Sequence, residues 1–520
     1  MKRLFALLLV LFTALSASAQ MPNITGVTFV GTGAGGSFGQ MNLTDFPNSA
    51  ANVVIANAIN RGKVVYLLSG TYNFSAPITL NSTASDLMIC GAPGAILNVN
   101  HTGSTGLFNV TGERFKLQDV TCTSTLTNAD QDYFNVTGDE PSFDNCRFAN
   151  AGTNGSTSTP TVYLKLGDVT TGGIRAAAVR GCRFSSAKGV IFSEVNGDST
   201  DSALLGQGAL FVGNHFGTEA ATPEKMYRGI HFQSAGEFVF TGNRVHGLGD
   251  GTDGINAFLL LTSNNSEGEA QHATIVGNNF ELLTGDHAIR ADGFRFGTIT
   301  GNLFGRMGGN GSNEGTIHIT DNLGTGTDGG DWQISNNDFH NASTSTGRTI
   351  FIEDTDSWLI ANNTFALCNG RQIRPVTTAT NGRIVGNIFK MASGVTGSLI
   401  ETSGAYTGLE ISDNWIPSDC TQLTAVPTGG CVLDGVALGG SAHNRLSPGV
   451  RETRVSLGSA IGADFVVTGI AAADMLLAIY NITDDTVLAV GDFAIETDDI
   501  QNNSAADLSA KVLLVRWYDA

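Results

Sequence analysis

The fold of this chain is decided by a short repeated phrase, of which Gly277-Asn278-Asn279-Phe280 and Gly301-Asn302-Leu303-Phe304 are two copies. The series extends from Gly213-Asn214-His215-Phe216 to the weaker copy His443-Asn444-Arg445-Leu446. Successive asparagines of the series stand 29, 35, 24, 35, 26, 24, 27 and 30 residues apart. A period of about 20 to 40 residues with variable insertions is typical of a solenoid, whose coils bury their apolar faces against one another.

Each residue of the phrase has an expected place in a coil. The Phe returns to the interior, which is covered when coils stack about 4.8 Å apart. The Asn fits a tight bend, because it tolerates a left-handed backbone and can hydrogen-bond the Asn of the next coil. Asn145-Cys146-Arg147-Phe148 and Gly181-Cys182-Arg183-Phe184 carry Cys in the Asn position, so we interpret both thiols as buried ladder residues. The pattern predicts an all-β parallel β-helix.

The opening coils can also be identified, at Val64–Tyr72, Pro77–Leu80 and Cys90–Leu97. Together with the repeated phrase, over roughly residues 50 to 450, they resemble the pectate-lyase-like superfamily of right-handed β-helices. The resemblance implies a right-handed parallel β-helix. It says little about chemistry, since one scaffold hosts many activities.

The catalytic signatures of that superfamily are missing from the sequence. Its polygalacturonase-like enzymes carry an Asp-Asp pair and a Gly-His-Gly within the helix. Here Asp484-Asp485 and Asp498-Asp499 occur only near the C-terminus, and Gly-His-Gly does not occur. The calcium-binding and Arg pattern of pectate lyases cannot be matched either. The resemblance therefore assigns no catalytic residue.

The first 80 residues are expected to contain two segments. Residues 1–19 are predicted to be a signal peptide, because Lys2 and Arg3 precede an apolar run that ends at Ala17-Ser18-Ala19. A start at Met21 is the alternative. Residues 20–80 would form an N-terminal cap and the first coils, with a short capping helix at Val53–Ile59.

The β-helix is expected over residues 81–450, where the repeat ends. Residues 451–520 contain apolar runs separated by Asp- and Asn-rich turns, which predict a small antiparallel β domain. The pattern of Asn481-Ile482-Thr483-Asp484 and the closing Val515-Arg516-Trp517-Tyr518 resembles the terminal β domains of bacteriophage structural and fibre proteins.

Charge and hydropathy bear on partners. The net charge is −19, from 28 Lys and Arg against 47 Asp and Glu. No concentrated basic stripe is visible in the linear sequence, so a nucleic-acid partner is not expected. No segment is long and apolar enough for a membrane span. Asp-rich turns offer oxygen ligands suited to Ca²⁺, but their irregular spacing favours ordinary surface turns; they contain Asp321, Asp328, Asp331, Asp354 and Asp356.

The segments before the bends align on a shared Ile, as in Ala288-Ile289-Arg290 and Thr316-Ile317-His318. Period-two alternation sends each Ile inward and the next residue outward. Stacked coils would then form an outward column of His231, Asn256, Arg290, His318, Phe351 and Arg374. A second column beside it would contain Gln233, Phe258, Asp292, Thr320 and Glu353.

These columns suggest a polysaccharide site, with aromatic faces for sugar rings and charged groups for hydroxyls or carboxylates. The predicted catalytic residues are Arg290, Asp292, His318 and Glu353, and the predicted substrate-binding residues are His231, Asn256, Phe258, Phe351 and Arg374. Asp292 and Glu353 would lie about 9.6 Å apart, near the upper limit for inverting glycosidases. Arg290 or His318 could instead be the base of a uronate lyase. The alternative is an ordinary solvated sheet face.

Two functions remain open from the sequence. The first is an extracellular or virion-surface spike or adhesin that binds polysaccharide, with or without depolymerase activity, and that assembles as a homotrimer by analogy. The second is a secreted polysaccharide lyase or glycoside hydrolase. The missing catalytic signatures favour binding, whereas the signal peptide favours a secreted enzyme. Whether the protein is an enzyme is left open.

Overall fold

The computed structural model describes a set of segments spread along most of the chain. They are residues 27–31, 40–42, 51–60, 63–81, 85–102, 105–124, 132–149, 161–167, 174–185, 190–196, 208–217, 228–233, 236–246, 257–262, 272–281, 287–305, 315–320, 330–340, 348–368, 371–392, 397–402, 405–417, 420–424, 428–434, 450–455, 458–467, 470, 472, 474–481, 483–484, 486–497, 499–504 and 506–518. The predicted signal peptide, Met21 and Asn444 lie outside them.

Most coils contribute one strand to each of three long sheets, and every pairing in these sheets is parallel. One coil, for example, contains Gly297–Thr300, Leu303–Gly305 and Gly315–Thr320. Parallel pairing between coils satisfies the backbone groups of one coil with those of the next. The chain is a right-handed parallel β-helix, which confirms the predicted fold class.

Neighbouring strands of each sheet come from successive coils. In spatial order, the first sheet consists of Gln40–Asn42, Val27–Gly31, Val64–Leu67, Met88–Gly91, Lys116–Gln118, Ser142–Asp144, Ala177–Arg180, Gly208–Val212, Glu237–Thr241, His272–Val276, Gly297–Thr300, Gly330–Ser335, Asp356–Ala361, Gly382–Val385, Ala405–Ser412 and Thr428–Asp434. The second sheet consists of Gly70–Phe74, Ala95–Val99, Thr121–Ser124, Arg147–Phe148, Arg183–Phe184, His215–Gly217, Arg244–His246, Asn279–Glu281, Leu303–Gly305, Asp338–His340, Thr364–Cys368 and Ile388–Met391. The third sheet consists of Ile78–Leu80, Thr105–Val110, Asp132–Val136, Thr161–Leu166, Val190–Asn196, Arg228–Gln233, Ala257–Thr262, His287–Asp292, Gly315–Thr320, Arg348–Ile352, Ile373–Pro375, Gly397–Ile400 and Cys420–Leu423.

The repeated phrase forms the bend between the first and second sheets. At Asn302 the side-chain Nδ2 donates to Asn337 Oδ1 at 3.0 Å and to the Ile275 carbonyl at 2.9 Å. Its Oδ1 accepts from the backbone N and from Nδ2 of Asn278, both at 2.9 Å. The same pattern runs from Asn214 to Asn414. The predicted asparagine ladder is confirmed.

The left-handed backbone, however, belongs to the residue before the ladder Asn. Gly301 has a φ of 64°, and Asn336 and Asn362, which also precede ladder asparagines, have φ values of 56° and 55°. The expectation that the ladder Asn itself is left-handed was wrong. Gly is frequent at this position because it has no Cβ to oppose a positive φ.

Two thiols continue the ladder at its N-terminal end. Cys182 Sγ lies 3.3 Å from the Phe143 carbonyl and accepts a hydrogen bond from the Cys146 backbone N at 3.3 Å. The Cys182 backbone N donates to Asn214 Oδ1 at 2.8 Å. A thiol, which is both a weak donor and a weak acceptor, therefore takes the place of the amide. Cys146 and Cys182 are buried, as expected for ladder residues.

The phenylalanines of the phrase stack inside the helix. The ring centroids of Phe304 and Phe339 are 4.9 Å apart, and those of Phe339 and Phe365 are 5.0 Å apart, with interplanar angles of 9°. These side chains have no solvent exposure. From Phe280 to Phe389 each coil thus adds one ring to a continuous aromatic stack in the core, whereas Val245 takes the corresponding place one coil earlier.

A helix at Ala51–Ile59 packs on the first coils, against the strands Val27–Gly31 and Gly70–Phe74. Its buried residues are Ala51, Val54, Ile55 and Ala58, which recur with helical spacing. This confirms the short helix predicted in the region. Within the described part of the chain, no helix has the length and apolar character needed to cross a membrane.

The strands after residue 450 form two antiparallel sheets. One contains Val450–Val455, Leu513–Tyr518, Met475–Asn481 and Thr486–Leu488. The other contains Asp464–Val466, Asp499–Asn502 and Phe493–Glu496, the last of which directly follows a short 3₁₀ turn at Val490–Asp492. A separate apolar cluster, which includes Phe465, Ile500 and Trp517, fills this part. The predicted antiparallel C-terminal strands are present.

Candidate functional site

The outward face of the third sheet carries most of the predicted column. Arg290 pairs with His318, His318 with Phe351, and Phe351 with Arg374, each one coil further along the helix. The preceding member is Leu260, which pairs with both His231 and Arg290. The Ile that directly precedes each of Arg290 and His318 in the chain, Ile289 and Ile317, points inward and has no solvent exposure.

The register differs from the prediction at one coil. Ile230 pairs with Leu259 rather than with Ile255, so Leu260 takes the place predicted for Asn256, which itself lies outside the described residues. Phe258 points into the core, where its ring centroid lies 5.3 Å from that of Phe216. Its expected place on the outer face was wrong. The continuous apolar strand Ala257–Thr262 lacks the alternation on which the alignment depended.

Strand pairing also places the residues of the second predicted column next to one another, except at the coil of Phe258. Gln233 pairs with Thr262, Thr262 with Asp292, and Asp292 with Thr320. The Glu353 backbone N donates to the Ile319 carbonyl at 3.0 Å, which places Glu353 one coil beyond Thr320. Asp292 and Glu353 therefore stand two coils apart, as predicted.

Charged and aromatic side chains of five consecutive coils lie next to one another in series, and we call this group the ionisable cluster. Arg290 Nη2 lies 3.2 Å from Asp292 Oδ2, and His318 Nε2 lies 2.9 Å from Glu353 Oε1. The cluster consists of His287, Arg290, Asp292, His318, Arg348, Phe351, Glu353, Arg371, Arg374 and Glu401. From the strand spacing it extends about 19 Å along the helix axis.

Aromatic contacts join the two halves of the cluster. The His318 ring lies 5.2 Å from the His287 ring and 4.7 Å from the Phe351 ring, between centroids. The Arg374 guanidinium carbon lies 5.1 Å from the centroid of the Phe351 ring, a cation–π contact. Phe351 therefore contacts both an imidazole and a guanidinium.

Glu401 gathers three arginines at the C-terminal end of the cluster. Arg348 Nε donates to Oε2 at 2.8 Å, while Oε1 lies 2.8 Å from Arg371 Nη1 and 3.8 Å from Arg374 Nε. Burial raises the pKa of the Glu401 carboxyl, but the bonds from Arg348 and Arg371 and the charge of Arg374 outweigh it, so the net pKa is lowered. Glu401 is therefore an anion at neutral pH.

The cluster is more buried than a solvated sheet face. The side chain of His318 is 3% exposed and that of Arg290 is 11% exposed, whereas Arg374 and Arg371 are 29% and 48% exposed. The cluster therefore has a buried end around His318 and an accessible end around Arg374. The expected exposure of Arg290 and His318 was wrong, although their outward direction from the sheet was correct.

The His318–Glu353 pair has a defined protonation state at neutral pH. Burial lowers the pKa of the His318 imidazole more than the hydrogen bond to Glu353 raises it. The pKa of the Glu353 carboxyl is also lowered, chiefly by that hydrogen bond. Because an ionised carboxylate only accepts, His318 Nε2 must donate, which leaves Nδ1 as an acceptor. Nδ1 is buried and has no hydrogen-bond partner within the described part of the chain.

The pH dependence of the free energy of unfolding should reflect the neutral state of the His318 imidazole. Its folded pKa lies below the ordinary value of about 6.5, so between these two values the unfolded chain binds more protons than the folded chain. Stability should therefore fall as the pH drops through that window. We expect the free energy of unfolding, measured in urea, to fall less between pH 7 and pH 5 for His318→Gln than for the wild type. An equal loss in both proteins would contradict the assignment.

Four members of the cluster were not among the predicted site residues: His287, Arg348, Arg371 and Glu401. Glu401 could have been found, because Leu399-Ile400-Glu401 continues the Ile alignment one coil past Arg374. His287 and Arg348 each stand two residues before an inward Ile, in corresponding positions of their coils. Within the described residues, no group of three or more His, Cys, Asp or Glu is arranged to hold a metal ion.

No protein-family model and no curated protein matches the chain. Among solved structures, it is similar to a mutant tailspike protein of E. coli bacteriophage HK620 in complex with a pentasaccharide, with 12% identity and a TM-score of 0.50, over 91% of this chain and 88% of that one. The catalytic unit of a GH87 α-1,3-glucanase from Streptomyces thermodiastaticus matches at 13% identity and a TM-score of 0.41, over 79% and 71% of the two chains. The A-module of the Azotobacter vinelandii mannuronan C-5 epimerase AlgE6 matches at 13% identity and a TM-score of 0.36, over 74% and 95%. At these identities the similarity concerns the fold.

Proposed function

We propose that the ionisable cluster on the third sheet binds a cell-surface or extracellular polysaccharide. The observation that carries this proposal is the series of neighbouring side chains from Asp292 to Glu401 across five coils. Four guanidinium groups and three carboxylates belong to it, on a chain that carries 47 acidic residues against 28 Lys and Arg. Guanidinium and carboxylate groups suit sugar hydroxyls and acidic substituents, and an aromatic face suits a sugar ring.

The accessible end of the cluster would make the first contacts with the polymer. Arg371 and Arg374 are held by Glu401, so their guanidinium groups are positioned before a ligand arrives. Such positioning lowers the entropy cost of binding. The tailspike with a similar fold was solved with a pentasaccharide, which agrees with this class of ligand.

Cleavage of the bound polymer is the second candidate function, favoured by the His318–Glu353 pair. A neutral imidazole whose Nδ1 accepts, oriented by a carboxylate, has the arrangement of a general base. Arg290 would stabilise developing negative charge, as for a uronate lyase. Alternatively, Asp292 and Glu353 would act as the carboxylate pair of an inverting hydrolase.

The proposal places the protein on a virion surface or outside the cell, as a spike or adhesin. We also propose that the protein assembles as a homotrimer, which a measurement of its molecular mass in solution would test. A secreted lyase or hydrolase is the corresponding alternative. Retention of intact polymer without new ends would favour the adhesin, whereas new reducing ends would favour the enzyme.

Arg374→Ala should weaken retention of the bound polysaccharide at least about tenfold, equivalent to 1.4 kcal/mol, because it removes a guanidinium from the accessible end. The measurement is a panel of neutral and acidic polysaccharides, followed for retention, new reducing ends and the ultraviolet absorbance of unsaturated uronate ends. Glu353→Gln tests cleavage separately, since it removes the charge while keeping the shape.

Arg383→Ala is the matched control. Arg383 is an exposed arginine of the first sheet that is also paired with a glutamate, Glu410, at 2.7 Å. It changes the net charge by the same amount away from the third sheet. Equal retention by both variants would contradict a site on the third sheet.

A further inference from the structure

Three arginines that are distant in sequence form a column on the outward face of the second sheet. Arg147 pairs with Arg183, Arg183 with His215, and His215 with Arg244. The three arginines are exposed, while the next residue of each strand, such as Phe148 or Phe184, lies in the core. We call Arg147, Arg183, His215 and Arg244 the arginine column. It spans about 14 Å along the helix axis at the strand spacing.

Stacked cations of this kind oppose folding. Like charges directly opposite on neighbouring strands are destabilising, as at Arg147 and Arg183, and His215 separates this pair from Arg244. Arg147 and Arg183 have no carboxylate partner within the described segments. Exposed arginines elsewhere do have one: Arg114 lies 2.6 Å from Asp86, and Arg383 lies 2.7 Å from Glu410. The column is thus a local cationic surface that nearby described carboxylates do not neutralise at Arg147 and Arg183.

We infer that the arginine column binds an anionic polysaccharide lying along the helix axis. Guanidinium groups bind carboxylate, sulfate or phosphate groups through paired hydrogen bonds. A polymer with separated charges would meet one guanidinium at each arginine-bearing coil. Binding of an anionic polymer would also reduce the electrostatic repulsion between the arginines of the column. This surface belongs to the second sheet and is distinct from the ionisable cluster of the third, so it does not depend on the function proposed there.

A polysaccharide suits the column better than a nucleic acid does. Double-stranded DNA carries one charge per about 1.7 Å of axis, and a chain of net charge −19 would repel so dense a polyanion outside the short column. None of the four residues of the column is a Phe, Tyr or Trp on which a base could stack. The linear sequence contains no basic stripe, because the folding of four coils is what brings residues 147, 183 and 244 together.

The test compares the full chain with a triple variant, Arg147→Gln, Arg183→Gln and Arg244→Gln. The probes are polygalacturonate, dextran sulfate, neutral dextran and duplex DNA, each titrated at several salt concentrations. The triple variant should bind both anionic polysaccharides at least about tenfold more weakly. Its salt slope should fall by up to about three units, because each lost contact removes roughly one. Neutral dextran should be unaffected.

The matched control is Arg114→Gln, Arg175→Gln and Arg383→Gln, which removes the same charge from exposed arginines that are paired with carboxylates. Equal binding by the two triple variants, or tighter binding of DNA than of either polysaccharide, would overturn the inference. The column variant should also unfold no earlier than the wild type, because it loses repulsion. Early unfolding would instead mean that the arginines are structural. Combining the column variant with Arg374→Ala separates this result from the third-sheet proposal, because a loss of binding that the column substitutions cause in both backgrounds must arise at the second sheet.

Discussion

Asn302→Ala is expected to lower the free energy of unfolding by about 3–5 kcal/mol. The substitution removes four hydrogen bonds of the side chain and leaves the Asn278 N–H, one Nδ2 hydrogen of Asn278 and the Ile275 carbonyl without their ladder partner. Each buried group left unsatisfied costs about 1–3 kcal/mol. Equilibrium unfolding in urea measures the effect.

The chain supplies a graded comparison for this substitution. Asn302→Cys should cost clearly less than Asn302→Ala, because Cys182 shows that a thiol can accept an N–H and approach a carbonyl of the preceding coil. Asn100→Ala changes an exposed asparagine and should stay within about 0.5 kcal/mol. Equal stability of the Ala and Cys variants at position 302 would contradict a ladder held by hydrogen bonds.

Phe339→Ala should destabilise the protein by about 3–5 kcal/mol, the usual cost of removing a buried aromatic ring. The ring has no solvent exposure and stacks between Phe304 and Phe365 at 4.9 and 5.0 Å. Its loss would leave a cavity that the rigid backbone of neighbouring coils cannot close. The same urea unfolding experiment measures it.

Two variants at this coil provide the controls. Phe339→Leu keeps much of the volume and should cost less than Phe339→Ala. Asp338→Ala changes the preceding, exposed residue and should cost no more than about 0.5 kcal/mol. A small effect of Phe339→Ala would mean that the aromatic stack contributes little to stability.

The fold could be predicted because one short phrase repeats along the chain with similar residue types at the same positions. The Asn and Phe positions recur in coil after coil, and both perform the expected tasks in the ladder and the stack. The backbone conformation was assigned to the wrong residue, since a Gly-Asn pair offers two residues that tolerate a positive φ. The φ of 64° at Gly301 assigns the left-handed backbone to the first residue, and the hydrogen bonds of Asn302 assign the ladder role to the second.

The candidate site could be predicted only in part. Arg290, His318, Phe351 and Arg374 follow from period-two alternation after a shared Ile. Phe258 could not be placed, because its strand is apolar throughout and gives no register. The burial of His318 could not be predicted either, because alternation gives the direction of a side chain but not the groups that cover it.

The bend between the first and second sheets is two residues long in every coil from Lys116–Gln118 to Gly382–Val385. The other connections between strands of these coils vary in length, from residues 234–236 after Gln233 to residues 149–160 after Phe148. A lineage that inherits this chain can therefore lengthen, shorten or exchange those segments while the ladder keeps its register. Diversification at the surface is separated from inheritance of the scaffold, so a descendant could acquire a different surface without having to evolve a new fold.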